Sequence, residues 1–183
     1  MRIISGYLKG KKINLPKDKL TRPLKDMVKE SIFNIIEHSN EFNQKIKNGI
    51  ILDLFSGSGS FGLECISRGA KYVYFNENYH MAIEILKKNI DSLNCEDKCQ
   101  ILDNDCFHLT KSFKKTVDII FLDPPFKEDK IIDLIKVIQK MKILNNNGIM
   151  IIHRNKKTEE DLSSQLRIID TRYYGSSKII FGN

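Results

Sequence analysis

The chain has 183 residues, 41% of them hydrophobic and 29% charged, as expected for one soluble domain with a sizeable core. No apolar run approaches the roughly 18 residues of a membrane span, and the early Lys9, Lys11 and Lys12 leave no room for a signal-peptide core. The four cysteines lack the paired spacing of a zinc site. We therefore expect a cytoplasmic protein with reduced thiols and no bound metal.

The positive charge is concentrated at the N-terminus. Of the net charge of +7, +6 falls within the first 30 residues, while the rest of the chain is nearly balanced. A basic arm on a neutral domain is typical of a protein that binds a polyanion. The candidate contact residues are Arg2, Lys9, Lys11, Lys12, Arg22, Lys25 and Lys29.

The same N-terminal region predicts a small extension. Arg2–Ser5 and Lys11–Leu15 have the pattern of a short hairpin. Lys25–Glu37 has an amphipathic helix pattern, and its lysines are expected to face outward. We therefore divide the chain into a basic extension at residues 1–45 and a larger domain at residues 46–183.

The stretch Ile50–Gly62 predicts a strand, a tight turn and the start of a helix. The apolar run Ile50–Leu54 is followed by Gly57 and Gly59, which suit a turn with positive φ that lets the backbone approach a ligand closely. The N–H groups at the start of the next helix then face that ligand. This arrangement is the opening half of a nucleotide-binding βαβ unit.

Acidic residues follow the next two predicted strands. Glu77 comes after Tyr72–Phe75, where a carboxylate can accept hydrogen bonds from both hydroxyl groups of a ribose. Asp103 and Asp105 come after Cys99–Leu102, and either could accept from the exocyclic amine of adenine or merely cap the next helix. The pattern indicates an adenosine, which NAD and S-adenosylmethionine (SAM) both contain.

A fourth predicted strand, Val117–Leu122, runs into Asp123-Pro124-Pro125-Phe126. The two prolines remove two N–H donors, so that carbonyl groups and Asp123 remain as acceptors at the edge of the sheet where ligands bind. Acceptors without donors suit an amino group, and Phe126 can stack on a base. An NAD-linked oxidoreductase, the alternative raised by the glycine motif, has no need of this cluster.

The rest of the chain alternates strands with helices and closes with a hairpin, which predicts a mostly parallel α/β sheet with an antiparallel edge. The further predicted elements are helices at Met81–Leu93, Ile131–Met141 and Thr158–Leu166, a turn at Asn145–Gly148, a strand at Gly148–Ile152 and a terminal hairpin of Arg167–Tyr173 and Ser177–Phe181.

Together these motifs resemble the SAM-dependent methyltransferases with a Rossmann-like sheet, and most closely the RsmD family. The resemblance covers essentially the whole chain and implies seven strands in a mostly parallel sheet with helices on both faces, plus a small N-terminal hairpin and helix. It rests on Arg2-Ile3-Ile4-Ser5-Gly6, Gly10-Lys11, Arg22-Pro23, Phe33-Asn34, Asp53-Leu54-Phe55-Ser56-Gly57-Ser58-Gly59, Leu63-Glu64, Ser67-Arg68-Gly69-Ala70, Asp123-Pro124-Pro125-Phe126 and Tyr174-Gly175.

This resemblance implies that the protein transfers a methyl group from SAM to the exocyclic N2 of a guanine in small-subunit (16S-type) ribosomal RNA, within the assembled 30S subunit. A monomer with no membrane partner is expected. Two alternatives stay open. One is a methyltransferase of the same class that acts on adenine N6 or a glutamine amide, and the other is a catalytically silent RNA-binding module.

The resemblance also implies the role of each site residue. Asp53 and the backbone of Gly57–Gly59 hold the methionine part of SAM, while Glu77 holds the ribose. Asp105 meets the adenine amine, with the Cys106 backbone nearby. The predicted cofactor-binding residues are Asp53, Phe55, Gly57, Ser58, Gly59, Glu77, Asp105 and Cys106.

In the predicted catalytic set, Asp123 and Pro124 hold the target amine and Phe126 packs against the guanine, while the basic extension lies on the RNA. The chain departs from the family pattern at Leu24, where Thr is usual, and at Asn76, where an apolar residue is usual. The remaining departures are Met27 and Lys29 in place of arginines, and His153-Arg154 in place of an acid.

Overall fold

The computed structural model describes residues 1–16, 24–39, 42, 45–108, 113–125 and 127–183. Among these residues no helix is long and apolar enough to span a membrane. In chain order, the regular elements are α1 (Asp26–His38), β1 (Ile50–Leu54), α2 (Ser60–Ser67), β2 (Tyr72–Glu77), α3 (His80–Leu93), a 3₁₀ turn (Glu96–Lys98), β3 (Cys99–Asp103), β4 (Val117–Leu122), α4 (Ile131–Lys140), β5 (Leu144–Asn155), β6 (Ile168–Tyr174) and β7 (Ser177–Gly182).

The strands form one seven-stranded sheet in the order β3-β2-β1-β4-β5-β7-β6. The first five strands in this order are parallel, and β7 runs antiparallel between β5 and β6. The chain order reverses between the adjacent strands β1 and β4, which opens a crevice at their carboxyl ends. The predicted Rossmann-like α/β fold with a closing hairpin is therefore confirmed.

Apolar side chains of the central strands alternate between the two faces of the sheet. Ile51 packs on the face covered by α1, α2, α3 and the N-terminal segment, while Leu52 packs on the face covered by α4. On the first face Phe61 of α2 stacks between Phe33 of α1 and Phe121 of β4, with ring centroids 5.2 and 4.0 Å apart. These contacts hold the helix that follows the glycine turn firmly against the sheet.

The N-terminal segment, described over residues 1–16, is a hairpin-like loop and not the predicted pair of regular strands. Its one isolated bridge joins Arg2 and Lys12. The backbone N–H groups of Ile4 and Ser5 donate instead to the carboxylate of Glu64 in α2, at 2.8 and 2.9 Å. The helix therefore satisfies backbone groups that a second strand would otherwise have paired.

The prediction that Lys29 faces outward is wrong. Its side chain is fully buried, and its Nζ donates to the carbonyl of Arg2 at 3.0 Å and lies 3.7 Å from the carboxylate of Glu64. Burial lowers the pKa of Lys29, while the neighbouring charges of Glu64 and Asp26 oppose that shift. The helical pattern alone could not reveal this burial, because Glu64 comes from another helix. Lys29 is not available at the surface to contact RNA.

The strand β5 is longer than predicted. It begins at Leu144, so Asn145–Gly148 lies within the strand and is not a turn. Its register against β4 shifts around Asp118, whose carboxylate accepts from the side chain of Asn145 at 2.7 Å and from the backbone of Ile50 at 2.8 Å. Asp118, which interrupts an apolar run in the sequence, therefore joins three neighbouring strands.

The predicted helix Thr158–Leu166 is absent, and this segment is an irregular loop with a turn at residues 163–165. The Thr158 hydroxyl donates to the carbonyl of Asn155 at 2.8 Å, and the backbone N–H of Ser163 donates to the carboxylate of Asp161 at 2.9 Å. Such local side-chain bonds compete with helix formation.

Candidate functional site

A cavity of about 440 Å³ opens at the carboxyl ends of β1, β2 and β4. Gly59 and Cys106 are not part of its lining, and Phe126 lies outside the described residues. The fold thus gathers acidic residues from distant segments at the edge where open α/β sheets bind ligands. The predicted site residues that line the cavity are Asp53, Phe55, Gly57, Ser58, Glu77, Asp105, Asp123 and Pro124.

The glycine turn between β1 and α2 has positive φ angles at Gly57 and Gly59, as the sequence predicts, and also at Phe55, which was not predicted. Phe55, Gly57 and Gly59 all have positive φ, of 60°, 55° and 81°. A Cβ on Gly59 would lie 2.4 Å from the Cδ1 of Leu86 in α3, so a side chain here would require Leu86 to move and would adopt an unfavourable left-handed backbone. A left-handed Phe55 is uncommon for a bulky residue, and such strain occurs mainly where a site demands it.

Glu77 is held rigidly against this turn. Its Oε2 accepts from the backbone N–H of Gly57 at 2.7 Å, and its Oε1 accepts from those of Asn78 and Tyr79 at 3.0 Å each. A carboxylate offers about four lone-pair positions, so acceptor capacity remains on the side that lines the cavity. The geometry therefore leaves Glu77 able to accept from ligand hydroxyl groups.

Asp53 is a buried carboxyl group at the end of β1, with 1% of its surface exposed. Burial raises its pKa well above the usual range, the hydrogen bond from the Gly62 N–H at 3.0 Å opposes this shift, and the charges of Asp123 and Glu77 add to it. Among the described residues no cation forms an ion pair with Asp53. A carboxyl group in this setting fits a ligand that brings its own positive charge.

Asp105 and Asp103, which the sequence left as competing candidates, differ in position. Asp105 lines the cavity, whereas Asp103 is exposed and not part of the lining. One carboxylate oxygen of Asp105 accepts from the N–H of Phe107 at 2.8 Å, as in a helix cap, and the other oxygen accepts no hydrogen bond from the described residues. The neighbouring Cys106 is buried, and burial raises its pKa to about 12.

Asp123 and Pro124 form the opposite wall of the cavity. The side chain of Asp123 is 15% exposed, and its Oδ1 lies 2.8 Å from Nδ1 of His153. No described residue donates to its Oδ2 or to the carbonyl of Pro124. Both residues line the cavity, and these two acceptors have no donor among the described residues.

Arg154, at the end of β5, holds the loop that follows these acceptors. Its side chain is 1% exposed, and its guanidinium donates to the carbonyls of Pro125 and Glu128 at 3.3 and 2.7 Å and pairs with Glu160. A departure from the family pattern thus acquires a structural role that the sequence did not reveal.

Asn76, another departure, connects two parts of the site. Its side chain donates to the carbonyls of Leu102 and Asn104 at 3.0 and 2.7 Å, and its own carbonyl accepts from the N–H of Ser56 at 3.0 Å. It therefore ties the glycine turn to the loop that carries Asp105.

Several residues of the lining were missed by the sequence analysis. Leu15, Pro16 and Leu24 come from the N-terminal extension, while Tyr79 and Phe107 follow β2 and β3. Of these, only Tyr79 and Phe107 could have been suspected from the sequence, because each lies two residues after a predicted cofactor-binding acid.

The predicted RNA-contacting residues fall into three groups. Lys29 is buried, and Arg22 lies outside the described residues. The exposed members are Arg2, Lys9, Lys11, Lys12 and Lys25.

Comparisons with known proteins show the family to which the chain belongs. The family described as "Conserved hypothetical protein 95" matches residues 1–183. The chain is 35% identical over 155 residues to the ribosomal RNA small subunit methyltransferase D of Buchnera aphidicola subsp. Acyrthosiphon pisum, covering 85% of this chain and 78% of that protein. It is 31% identical over 162 residues to the protein of that name from Haemophilus influenzae, covering 85% and 79%.

The fold also matches a solved structure, the hypothetical protein TTHA0928 of Thermus thermophilus. The TM-score is 0.81 at 20% identity, and the match covers 99% of this chain and 98% of that one. Because the family match spans the whole sequence, the chain belongs to the family described as "Conserved hypothetical protein 95", and the predicted membership of the RsmD family is confirmed.

Proposed function

We propose that this protein transfers a methyl group from SAM to the exocyclic N2 of a guanine in small-subunit ribosomal RNA, within the assembled 30S particle. The observation that carries this proposal is the pair of free acceptors, Asp123 Oδ2 and the Pro124 carbonyl, on the wall of a cavity lined by a rigid glycine turn and carboxylates. The names of the relatives support the methyltransferase class and the small-subunit RNA substrate.

The lining fits SAM by its chemistry. Asp53 is a buried acid without a cationic partner among the described residues, and SAM carries both an ammonium group and a sulfonium. Glu77 would accept from the ribose hydroxyls, and Asp105 from the adenine amine through its free oxygen. When bound, SAM supplies a methyl group that is electrophilic without a metal ion.

The residues of this chain then have to make a poor nucleophile reactive. The lone pair of guanine N2 is delocalised into the ring, so the amine is planar and weakly nucleophilic. Asp123 and the Pro124 carbonyl each accept a hydrogen bond from one N–H of the amine, which favours a pyramidal nitrogen whose lone pair points away from both acceptors. The surplus proton leaves the nitrogen after the transfer, so Asp123 need not be a strong base. Positioning and electrostatic stabilisation of this kind account for most of the rate in such transfers.

The exposed basic residues of the N-terminal extension are the proposed RNA-contacting surface. Lys9, Lys11 and Lys12 lie on one short stretch, and Arg2 forms a bridge with Lys12 across the loop. Contacts with phosphate groups give affinity without sequence information, so the base is selected at the cavity. We further propose that the protein acts as a cytoplasmic monomer without a metal ion.

The test is methyl transfer from labelled SAM to unmodified small ribosomal subunits, with naked ribosomal RNA beside them and nucleoside analysis of the product. We expect N2-methylguanosine at a single site, formed on the assembled subunit. The variant Asp123→Ala should lose transfer and still bind SAM with nearly unchanged affinity.

Other outcomes identify the alternatives. N6-methyladenosine as the product would point to the same chemistry on another amine. Absence of transfer to either substrate, with SAM still bound, would overturn the proposal in favour of a protein substrate or a catalytically silent RNA-binding module.

A further inference from the structure

A buried histidine lies directly behind the acceptor carboxylate. His153 of β5 is 2% exposed, and β5 runs between β4, which leads into Asp123, and β7, which begins at Ser177. Its Nδ1 is 2.8 Å from Asp123 Oδ1, and its Nε2 is 2.8 Å from the hydroxyl oxygen of Ser177. Asp123, His153 and Ser177 therefore form a chain of hydrogen-bonded side chains that begins at the cavity wall.

For a neutral imidazole, the chemistry of the three groups allows one direction for these hydrogen bonds. An ionised carboxylate only accepts, so Nδ1 of His153 carries the proton that is donated to Asp123. In the neutral imidazole Nε2 is then the acceptor, and the Ser177 hydroxyl donates to it. Ser177 is 4% exposed, so bulk water does not compete freely for this bond.

We propose that His153 is a positioning residue for methyl transfer, which holds Asp123 through one oxygen so that the other faces the target amine. This inference rests on the proposed function. A free Asp carboxylate rotates about its last side-chain bond, and a hydrogen bond to Oδ1 removes that freedom. Ser177 in turn keeps the imidazole in the tautomer that donates to Asp123. Since Oδ2 accepts no hydrogen bond from the described residues, it stays available to the amine.

Two amide variants separate this role from simple packing. The side-chain nitrogen of Asn can occupy the position of the imidazole Nδ1, so His153→Asn keeps a donor for Asp123 and loses the bond to Ser177. Gln reaches the position of Nε2, so His153→Gln keeps the partner at Ser177 and loses the donor to Asp123. Gln also fills the buried space better than Asn does.

The experiment measures kcat and KM for small ribosomal subunits, the Kd of SAM and the melting temperature of each variant. His153→Gln should lower kcat by about 10- to 100-fold, the cost of a misplaced reacting group, while the Kd of SAM and KM change less than about two-fold. His153→Asn should retain most of kcat despite its smaller volume. The kcat of Ser177→Ala should lie between those of the two His153 variants. His38→Ala, at an exposed end of α1, is the control and should match the unmodified protein.

A kcat of His153→Gln equal to or higher than that of His153→Asn would overturn the proposal. In that case kcat would depend on the volume of the side chain and not on the hydrogen-bond donor to Asp123. A loss of kcat that only parallels a loss of melting temperature would also overturn the proposal. A second measurement does not depend on activity: nitrogen-15 NMR of the His153 ring should show the Nδ1-protonated tautomer, and Asp123→Ala should abolish that preference. An Nε2-protonated ring in the unmodified protein would refute the role of His153 whether or not the proposed methyl transfer is observed. Failure of methyl transfer with the Nδ1-protonated ring present would count against the proposed function alone.

Discussion

The substitution Glu77→Gln should abolish tight SAM binding although it preserves the size and shape of the side chain. The reason lies in the three N–H groups that surround the carboxylate. Gly57 donates to Oε2, while Asn78 and Tyr79 donate to Oε1. An amide has one oxygen and one NH₂ group, so in either orientation its NH₂ faces an N–H donor and at least one hydrogen bond is lost.

The magnitude follows from the bonds involved. A hydrogen bond to a charged group contributes about 1.5–3 kcal/mol. The variant loses the bond from Gly57, or those from Asn78 and Tyr79, and it also offers the ribose a neutral acceptor in place of a charged one. The bonds from the protein are already made in the free protein, so their loss lowers its stability, whereas the complex loses the charge-assisted bonds to the ribose. A loss of about 2–3 kcal/mol in those ribose bonds raises the Kd of SAM by about 30- to 100-fold.

Isothermal titration calorimetry of SAM binding checks this prediction, and a thermal melt of the free protein provides the folding control. The melting temperature should fall by roughly 3–12 °C, as expected for the loss of about 1.5–3 kcal/mol in a domain of this size. The matched control is Glu84→Gln, which changes a half-exposed residue that pairs with Lys87 on the surface of α3 and should leave SAM binding unchanged. A Glu77→Gln protein that binds SAM within two-fold of the unmodified protein would refute the proposed role of this carboxylate.

Three further predictions concern the other parts of the site. Burial raises the pKa of Asp53, so the folded free protein holds the carboxyl proton more tightly than the unfolded chain does. The carboxyl group therefore destabilises the fold increasingly as the pH rises from the ordinary pKa of Asp to the raised pKa. Asp53→Asn should therefore raise the melting temperature of the free protein at pH 8 more than at pH 5, and it should weaken SAM binding. A variant whose melting temperature at pH 8 is no higher than that of the unmodified protein would contradict this. Arg154→Met should release the loop at Pro125 and lower kcat in methyl-transfer assays at saturating SAM, with a smaller effect on the Kd of SAM. An unchanged kcat in a folded variant would count against the role of Arg154 in holding this loop. Replacing Lys9, Lys11 and Lys12 by Ala should raise KM for RNA and flatten the dependence of RNA affinity on salt, measured by filter binding between about 50 and 200 mM salt, and an unaltered salt slope would remove these lysines from the interface.

The parts of the fold that the sequence predicted well are those with sharp local boundaries. The limits of β1 and β4 were predicted to the residue, because a glycine turn follows one apolar run and a pair of prolines follows the other. The same boundaries place Asp53 and Asp123 at the carboxyl ends of these strands. Because the strands are parallel neighbours, both residues lie at the same edge of the sheet. Glu77 was found for the same reason, at the end of the neighbouring strand.

The parts that could not be predicted depend on contacts between distant segments. The burial of Lys29 requires Glu64, which lies 35 positions away on another helix. The role of His153 requires both Asp123 and Ser177, and no local pattern shows that β5 lies between their strands. In each case the sequence shows an ordinary polar residue, and only the tertiary fold shows its partner.

The N-terminal extension is structurally linked to the cofactor cavity as well as being the proposed RNA surface. The buried side chain of Asn89 in α3 donates to the carbonyl of Asn14 at 3.0 Å and to that of Ser58 in the glycine turn at 2.9 Å, and it accepts from the N–H of Asn14 at 2.8 Å. One side chain therefore fixes the extension and the glycine turn relative to each other, and the next two residues of the extension, Leu15 and Pro16, form part of the cavity wall. A buried amide with all these bonds made is costly to disrupt, since any displacement of the extension leaves polar groups unpaired in the interior. The proposed RNA contacts therefore lie on a segment whose position relative to the cavity is fixed. We expect docking of the RNA and presentation of its base to depend on this same rigid unit.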